Sequence, residues 1–130
     1  MDQRLGKNQK LKSKKLIDKL FIEGQSVKAF PLKLVYTEID QAQISDDQVA
    51  FSVPKKLFKN ATHRNRIKRL MREIFRKNKY LLTKDLSAPH AFMLIYISRE
   101  EASYQKLETC FTALSGKFRK KLEGHEEKNS

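Results

Sequence analysis

The sequence is poor in several residue types, and each shortage excludes a class of protein. Its 130 residues include one cysteine, no tryptophan, four glycines and three prolines. A single cysteine, Cys110, cannot build a disulfide framework or a four-cysteine zinc site, so we expect a protein of a reducing compartment, the cytoplasm. No apolar run approaches the roughly 20 residues of a membrane span. The basic N-terminus also lacks the apolar segment of a secretory signal, and we expect no membrane partner.

Negative charge is scarce, and the positive excess is concentrated in two segments. The chain has 28 Lys and Arg against 15 Asp and Glu, a formal net charge of +13. Residues 55–79 contain eleven Lys and Arg and one acid, and residues 1–20 contain seven basic and two acidic residues. A concentrated excess indicates a surface that binds a polyanion. We interpret that polyanion as nucleic acid in preference to a membrane surface.

The sequence offers no set of side chains typical of a protein active site. Its histidines have no partner at metal-ligand spacing. Asp46 and Asp47 are adjacent, so on a strand their carboxylates would face opposite ways. Cys110 lies among apolar residues, as a buried structural thiol does. With few glycines and no glycine-rich phosphate loop, the chain is expected to carry no catalytic residue and no metal ligand of its own.

The first half of the chain predicts one helix followed by strands. Residues 1–12 have the composition of a basic mobile arm. Ser13 is a candidate N-cap for an amphipathic helix that ends near Gly24. Residues 27–39 are rich in β-branched and aromatic residues, and Pro31 among them marks an edge, a bulge or a bend before the clearest part of the strand. Residues 49–53 predict a further short strand after an acidic loop.

Residues 62–79 predict the clearest helix. Apolar residues recur there at intervals of three and four, which gives one continuous stripe made of Ile67, Leu70, Met71, Ile74 and Phe75. At 100° per residue, the side chains that point away from this stripe are Asn65, Arg69, Arg72 and Arg76. Asn60 or Thr62 is positioned to cap the first turn.

The remaining pattern completes an α+β fold. Residues 92–97 form an unbroken apolar run, which is typical of a central strand. Residues 98–101 match a capping box, and the amphipathic pattern after them predicts a last helix. Residues 123–130 are expected to be a frayed tail. The order helix, two or three strands, helix, strand, helix predicts a single α+β domain over residues 1–130, with helices packed on one sheet.

The basic helix opens with chemistry suited to RNA phosphates. Residues 64–73 place several cations near a helix N-terminus, where free amide donors and the helix dipole already favour negative charge. Arginine at a helix N-terminus is electrostatically unfavourable unless an anion is bound nearby. Its guanidinium can donate two parallel hydrogen bonds to two oxygens of one phosphate. Asn65 adds a neutral donor and acceptor that can reach a base edge, a 2′-hydroxyl or metal-bound water. A nucleic-acid interface is therefore the favoured interpretation.

These residues resemble the signature of the bacterial ribonuclease P protein subunit. That signature has a lysine pair after a strand, an Asn-Ala pair, an Arg-Asn-Arg block and a further Arg-Glu on a helix. The matching residues here are Lys55 and Lys56, Asn60 and Ala61, Arg64 to Arg66, and Arg72 and Glu73. The similarity covers residues 9–120 and includes the first helix, where Ile17 stands at a position that is often aromatic in the family.

The resemblance implies a fold, an activity and partners. The fold is an α-β-β-β-α-β-α sandwich like the second domain of ribosomal protein S five, with a left-handed βαβ crossover. Members of the family bind a large catalytic RNA, the ribonuclease P RNA, and together with it remove 5′ leaders from precursor tRNA. The RNA performs the phosphodiester hydrolysis with Mg²⁺, which is bound mainly by the RNA. The protein is then part of an endoribonuclease and supplies no catalytic residue.

The resemblance and the helix pattern together assign residues to two surfaces. The residues expected to face the catalytic RNA are Arg64, Asn65, Arg66, Lys68, Arg69, Arg72 and Arg76. The single-stranded leader is expected in a cleft between the first helix and the sheet. The residues assigned to this leader-binding cleft are Ile17, Phe21, Lys14, Lys15, Val35, Tyr36, Lys55 and Lys56.

Three other functions remain open from the sequence. A generic or ribosomal RNA-binding protein of the same fold would bind RNA without preferring precursor over mature tRNA. DNA binding through the basic helix would need a short preceding helix, whereas residues 49–54 predict a strand, so we expect no DNA partner. An autonomous nuclease would cleave RNA as pure protein.

Overall fold

The helices and strands follow the predicted order with one addition. The computed structural model describes residues 10–11, 13–40 and 46–129. Its elements in chain order are α1 (Lys14–Glu23), β1 (Gln25–Ala29), β2 (Leu32–Glu38), β3 (Gln48–Ser52), α2 (Ala61–Asn78), α3 (Tyr80–Thr83), β4 (His90–Tyr96) and α4 (Tyr104–Asn129). The addition is α3, a four-residue helix in a segment for which the sequence predicted only a connection.

The four strands form one mixed sheet in the order β1-β2-β4-β3. β1 and β2 are an antiparallel pair joined by a turn at Phe30 and Pro31, so a bend is the one of the three features predicted at the proline that the chain adopts. β4 pairs antiparallel with β2 and parallel with β3. The two parallel strands are joined through α2 and α3, and this connection is the βαβ crossover of the expected fold.

Residue alternation along the strands divides the core between the two faces of the sheet. Leu34 of β2 and Phe92 of β4 face α2 and α4, where they join the larger apolar cluster with Ile67. Val35 and Met93, one residue further along each strand, belong to a smaller cluster under α1. The layers are therefore α1, the sheet, and then α2, α3 and α4. This is the α+β sandwich that the sequence predicted.

The segment before α1 is attached to the outer edge of β3. Lys10 forms a parallel bridge with Val49, and the N–H of Leu11 donates to the Val49 carbonyl at 2.9 Å. The Leu11 side chain is buried with the apolar cluster under α1. Most of the predicted mobile arm lies outside the described residues, but its end at residues 10–11 is docked on the sheet, which corrects that part of the prediction.

Local hydrogen bonds explain where α1 and α2 begin. The hydroxyl of Ser13 accepts from the N–H of Leu16 at 3.3 Å, and the side-chain oxygen of Asn60 accepts from the N–H of Thr62 at 2.8 Å. Each bond satisfies an amide that has no partner inside its helix. The N-cap predicted at Ser13 is confirmed, and of the two candidates for α2 the cap is Asn60.

The start and the end of α4 both differ from the prediction. Ser98 does not cap a helix, because its hydroxyl accepts from the N–H of Glu100 within a loop. The cap is Ser103, whose hydroxyl accepts from the N–H of Lys106 at 3.2 Å. α4 then extends to Asn129 and includes most of the segment expected to fray. Within the described part of the chain, no helix is long and apolar enough to cross a bilayer.

Gly24 is a position at which any side chain would disturb the fold. Its N–H donates to the carbonyl of Leu20 at 2.9 Å and ends α1. A Cβ at this position would lie 2.2 Å from that carbonyl oxygen and 3.0 Å from a methyl carbon of Val35. We expect Gly24→Ala to lower the free energy of unfolding by about 1–3 kcal/mol, because a packed backbone must shift. Denaturant unfolding measures this change.

Gly116 provides the matched control for that experiment. It lies within α4, and a Cβ added there would meet nothing within 4 Å. Alanine favours helix over glycine by about 1 kcal/mol, so Gly116→Ala should raise the stability of the protein. A stabilising effect of Gly24→Ala similar to that of Gly116→Ala would contradict the close approach of α1 to β2.

Candidate nucleic-acid interface

The outward face of α2 carries a row of polar side chains that we call the basic helix surface: Asn65, Lys68, Arg69, Arg72 and Arg76. The opposite side of the helix presents four buried apolar residues to the core. Because these buried residues anchor the helix to the core, the polar side chains stand on a rigid support. At 1.5 Å per residue, the row is roughly 16 Å long.

Arg64 folds back on the connection that precedes α2. Its Nη1 donates to the carbonyl oxygens of Phe58 and Lys59, both at 2.8 Å. Phe58 is itself buried, with its ring centroid 5.8 Å from that of Tyr96. Arg64 therefore fixes the path of residues 55–59. Its Nε and Nη2 groups keep their donors for an external acceptor.

Arg66 forms an ion pair with the loop before α4. Its Nη2 lies 2.9 Å from the Oε1 of Glu101, and 56% of the Arg66 side chain is exposed. An exposed pair of this kind contributes about 1 kcal/mol or less to stability. Phosphate oxygens can therefore replace Glu101 as the partner of Arg66 at small cost.

Glu73 neutralises part of the C-terminal end of the basic helix surface. Its carboxylate accepts from the Nε of Arg76 at 3.1 Å and also from the Nη2 of that residue, and it lies 3.6 Å from the Nζ of Lys77. The hydrogen bonds from Arg76 are the main cause that lowers the pKa of Glu73. The carboxylate is then ionised at neutral pH, so Arg76 reaches an RNA phosphate only in competition with it.

Four side chains of the basic helix surface carry no internal charge partner. Asn65, Lys68 and Arg69 make no side-chain hydrogen bond or ion pair with any residue that the structure describes. The guanidinium of Arg72 lies over the ring of Phe51, with its central carbon 5.8 Å from the ring centroid. This cation–π contact orients Arg72 and leaves the guanidinium edges free to donate. These four can bind phosphate without first breaking an ion pair.

The second surface is the half of one sheet face that α1 leaves uncovered, with the flank of α1 beside it. We call it the sheet cleft. α1 covers the sheet around Val35 and Ala91, where its leucines are buried. Further along the strands on the same face, Lys33, Ile95 and Ser52 are neighbours across β2, β4 and β3. All three are only half-buried, so they form the floor of the cleft.

The flank of α1 that faces the cleft carries Ile17 and Phe21. Lys19, on the other flank, donates from Nζ to the carbonyl of Glu38 at 3.2 Å, at the covered end of β2. Helical spacing places Ile17 and Phe21 on the opposite flank, toward the uncovered half. Ile17 packs on the apolar cluster under α1, whereas Phe21 is 63% exposed. Phe21 therefore presents an aromatic face that a base can contact.

Val35 and Tyr36 lie on opposite faces of the sheet, which corrects the assignment of Tyr36 to the cleft. Adjacent strand residues point opposite ways, and the ring of Tyr36 packs edge-on against Phe118 of α4, with centroids 4.7 Å apart. Burial raises the pKa of Tyr36. Val35 is on the correct face, but it is buried beneath α1 and supports the cleft from below.

Three of the four lysines assigned to the cleft lie at its border. Lys14 shares the stripe of Phe21 on α1, seven residues earlier in the chain. Lys55 and Lys56 are exposed in the turn that follows β3, at the open end of the sheet. Lys15 lies instead on the flank of Lys19, away from the cleft, and the original assignment of this residue is corrected accordingly.

Sequence reasoning missed Lys33 and Ile95 in the floor of the cleft, and Met93 in the buried cluster under α1 beside it. Because every second residue of a strand lies on the same face, the assignment of Val35 to the cleft would also have indicated Lys33. The apolar run of β4 hides the other two, because residues of both faces are apolar and only the position of α1 distinguishes the faces. No group of three or more His, Cys, Asp or Glu side chains that could hold a metal ion occurs within the described residues.

Comparison with known proteins gives consistent results for sequence and fold. The chain matches the family model described as Ribonuclease P over residues 5–120. It is 35% identical over 96 residues to the ribonuclease P protein component of Porphyromonas gingivalis, with 70% of each chain covered. For the protein of that name from Chlorobaculum tepidum, the identity is 37% over 99 residues, which cover 70% of this chain and 64% of the relative.

Two solved structures share the fold. The RNase P protein of Staphylococcus aureus superposes with a TM-score of 0.67 at 20% identity, covering 82% of this chain and 91% of that one. The RNase P protein from Thermotoga maritima gives a TM-score of 0.65 at 20% identity, with 82% and 94% covered.

Proposed function

The chain belongs to the ribonuclease P protein family, and on that basis we propose how its two surfaces serve the ribonucleoprotein. It is the protein component of an enzyme whose partner is the ribonuclease P RNA. In our proposal the basic helix surface binds this RNA, and the sheet cleft holds the 5′ leader of precursor tRNA. The observation that carries the proposal is the set of four polar side chains on one face of α2, Asn65, Lys68, Arg69 and Arg72, that form no ion pair with any described residue.

The chemistry of the basic helix surface supports an RNA partner. Arg69 and Arg72 keep guanidinium edges that can bind phosphate oxygens in pairs, and Lys68 adds a point charge. Asn65 is the neutral member and can bond a base edge or a 2′-hydroxyl. Neutralised phosphates release counterions, so affinity should fall steeply as salt rises.

The shape of the sheet cleft supports a single-stranded occupant. Phe21 offers a stacking face, Ile95 lies in the floor, and lysines border the open end. Aromatic side chains combined with a basic rim are typical of sites for unpaired RNA, because unstacked bases can lie on the rings while cations follow the backbone.

Hydrolysis of the phosphodiester bond is assigned in this proposal to the RNA subunit. Mg²⁺ bound mainly by that RNA supplies charge stabilisation and an activated water when present. The described residues of the protein contain no cluster suited to hold the ion. The protein acts on binding: its cations lower the repulsion between crowded phosphates, and the cleft retains the leader. Such a subunit works where precursor tRNA is made, in the cytoplasm.

Cleavage of precursor tRNA at limiting Mg²⁺ tests the proposal. A bacterial ribonuclease P RNA is assayed with and without the protein, and the protein is also assayed alone. We expect the protein to stimulate cleavage by the RNA and to be inactive alone. Tight, salt-dependent binding without stimulation by several bacterial RNAs would favour a generic or ribosomal RNA-binding protein. Cleavage by the protein alone would assign the chemistry to its side chains.

Glu101→Gln should strengthen RNA binding. The substitution removes the carboxylate that pairs with Arg66 at 2.9 Å and frees this guanidinium for phosphate. An exposed pair is worth about 0.2–1 kcal/mol, so the dissociation constant should fall by roughly 1.5- to 5-fold. Glu100→Gln is the matched control, since it removes an exposed carboxylate from the same loop. Equal effects of both substitutions would mean that general charge, and not release of Arg66, is responsible.

A further inference from the structure

Tyr80 continues the basic helix surface beyond the end of α2. Lys79 joins α2 to α3 and has right-handed helical angles, φ −58° and ψ −27°, so the helical spacing carries over between the two elements. Tyr80 follows Arg76 by four residues and Arg72 by eight, which places these side chains on one face. The row of polar side chains therefore ends in an aromatic ring.

The ring of Tyr80 is open to a ligand. Tyr80 is 58% exposed and makes no side-chain hydrogen bond, ion pair or ring contact within the part of the chain that the structure describes. It lines a groove of about 370 Å³ between α3 and α4. Gly116 also lines the groove from an exposed position of α4, and a Cβ there would meet nothing within 4 Å.

The charge of this groove favours an anionic ligand. Lys84 and Arg119 line it, and no carboxylate of a described residue does. The Arg119 guanidinium donates to the carbonyl of Lys84, which holds it against α3, while the Lys84 ammonium is exposed without a side-chain partner among the described residues. An aromatic face beside two cations is the combination that binds an unpaired nucleotide, since the base stacks and the cations contact its phosphate.

We propose that the α3–α4 groove binds one unpaired nucleotide of the ribonuclease P RNA, with its base on Tyr80 and its phosphate at Lys84 and Arg119. The proposal rests on the function proposed above and extends it to a third contact. Precursor tRNA is the less suitable occupant, because the groove lies in the helical layer with the basic helix surface. The sheet cleft is on the opposite face of the sheet.

Binding of the full-length protein to ribonuclease P RNA tests the proposal. Tyr80→Ala should weaken binding by roughly 5- to 100-fold, the loss seen when a stacking aromatic is removed, without changing the salt dependence. Tyr80→Phe retains the ring and should bind within twofold of the unchanged protein. Lys84→Ala should weaken binding and reduce the slope of log K against log salt by about 0.7–0.9, as expected for one lost phosphate contact.

A second variant tests the groove itself without removing the ring. Gly116→Leu directs a side chain into the groove from an open helical position, so it should weaken RNA binding while thermal stability is kept or raised. Tyr80→Ala and Gly116→Leu proteins that are folded and bind RNA as well as the unchanged protein would overturn the proposal. A loss confined to binding of precursor tRNA by the assembled enzyme would also overturn it.

The Arg69→Ala, Arg72→Ala double variant distinguishes the groove proposal from the RNA-binding function proposed for the basic helix surface. If that variant loses affinity for the RNA while Tyr80→Ala does not, the groove proposal fails and the function of the basic helix surface stands. If the unchanged protein neither binds the RNA nor stimulates it, both proposals fail together.

Discussion

Replacing Arg69 and Arg72 together by alanine is expected to weaken binding of the ribonuclease P RNA by at least about 150-fold at physiological salt. Hydrogen bonds to charged groups contribute about 1.5–3 kcal/mol each, and neither guanidinium pairs with a carboxylate of the described residues. The negative slope of log K against log salt should become shallower by roughly 1.5, because about two phosphate contacts are lost. A salt series of binding isotherms measures both quantities.

The control removes the same charge from another part of the molecule. Lys106 and Lys117 are exposed on the flank of α4 toward β1, where the Nζ of Lys117 donates to the carbonyl of Lys28. α2 contacts the other flank of α4, through the hydrogen bond from Asn78 to Glu108. Lys106→Ala with Lys117→Ala should change affinity only slightly. A loss as large as that of the α2 double variant would show that net charge, and not the basic helix surface, determines binding.

Phe21→Ala should weaken the assembled enzyme's binding of leader-bearing precursor tRNA by roughly 5- to 100-fold while leaving mature tRNA unaffected. The expected loss is that of one base stacked on an aromatic ring. Ile17, the other cleft-facing side chain of α1, is half-buried and has no aromatic face, so it cannot replace the ring. Paired binding measurements with precursor and mature tRNA separate leader contact from general RNA affinity.

Ile22→Ala is the matched control for Phe21→Ala. Ile22 is 81% exposed and adjacent to Phe21, yet helical spacing places it away from the cleft. The enzyme assembled with Ile22→Ala should bind precursor and mature tRNA with the same affinity as the enzyme with the unchanged protein. Equal losses for precursor and mature tRNA with Phe21→Ala, or the same loss with both substitutions, would argue against a leader site in the sheet cleft.

Local sequence patterns were sufficient for most of the fold. The apolar stripe of residues 62–79 predicted α2 to within a residue at each end, because an amphipathic helix must bury one face. Pro31 marked the β1–β2 turn, and Asn60 was among the two expected caps. The start of α4 was wrong because Ser98 and Ser103 both carry a hydroxyl that can cap, and the sequence does not indicate which one the chain presents to a helix.

The sequence by itself determined that this is a basic α+β protein with one strongly basic amphipathic helix, because those properties follow from periodicity and charge within short segments. Only the tertiary structure decided which cations are available. Arg66 is paired with Glu101 across 35 positions of the chain, and Arg64 is turned back onto the carbonyls before α2. The sheet likewise placed Tyr36 away from the cleft. The outcomes for Arg66 and Tyr36 depend on contacts between distant segments, which no local pattern contains. The outcome for Arg64 depends on the path that the connection before α2 takes in the folded chain.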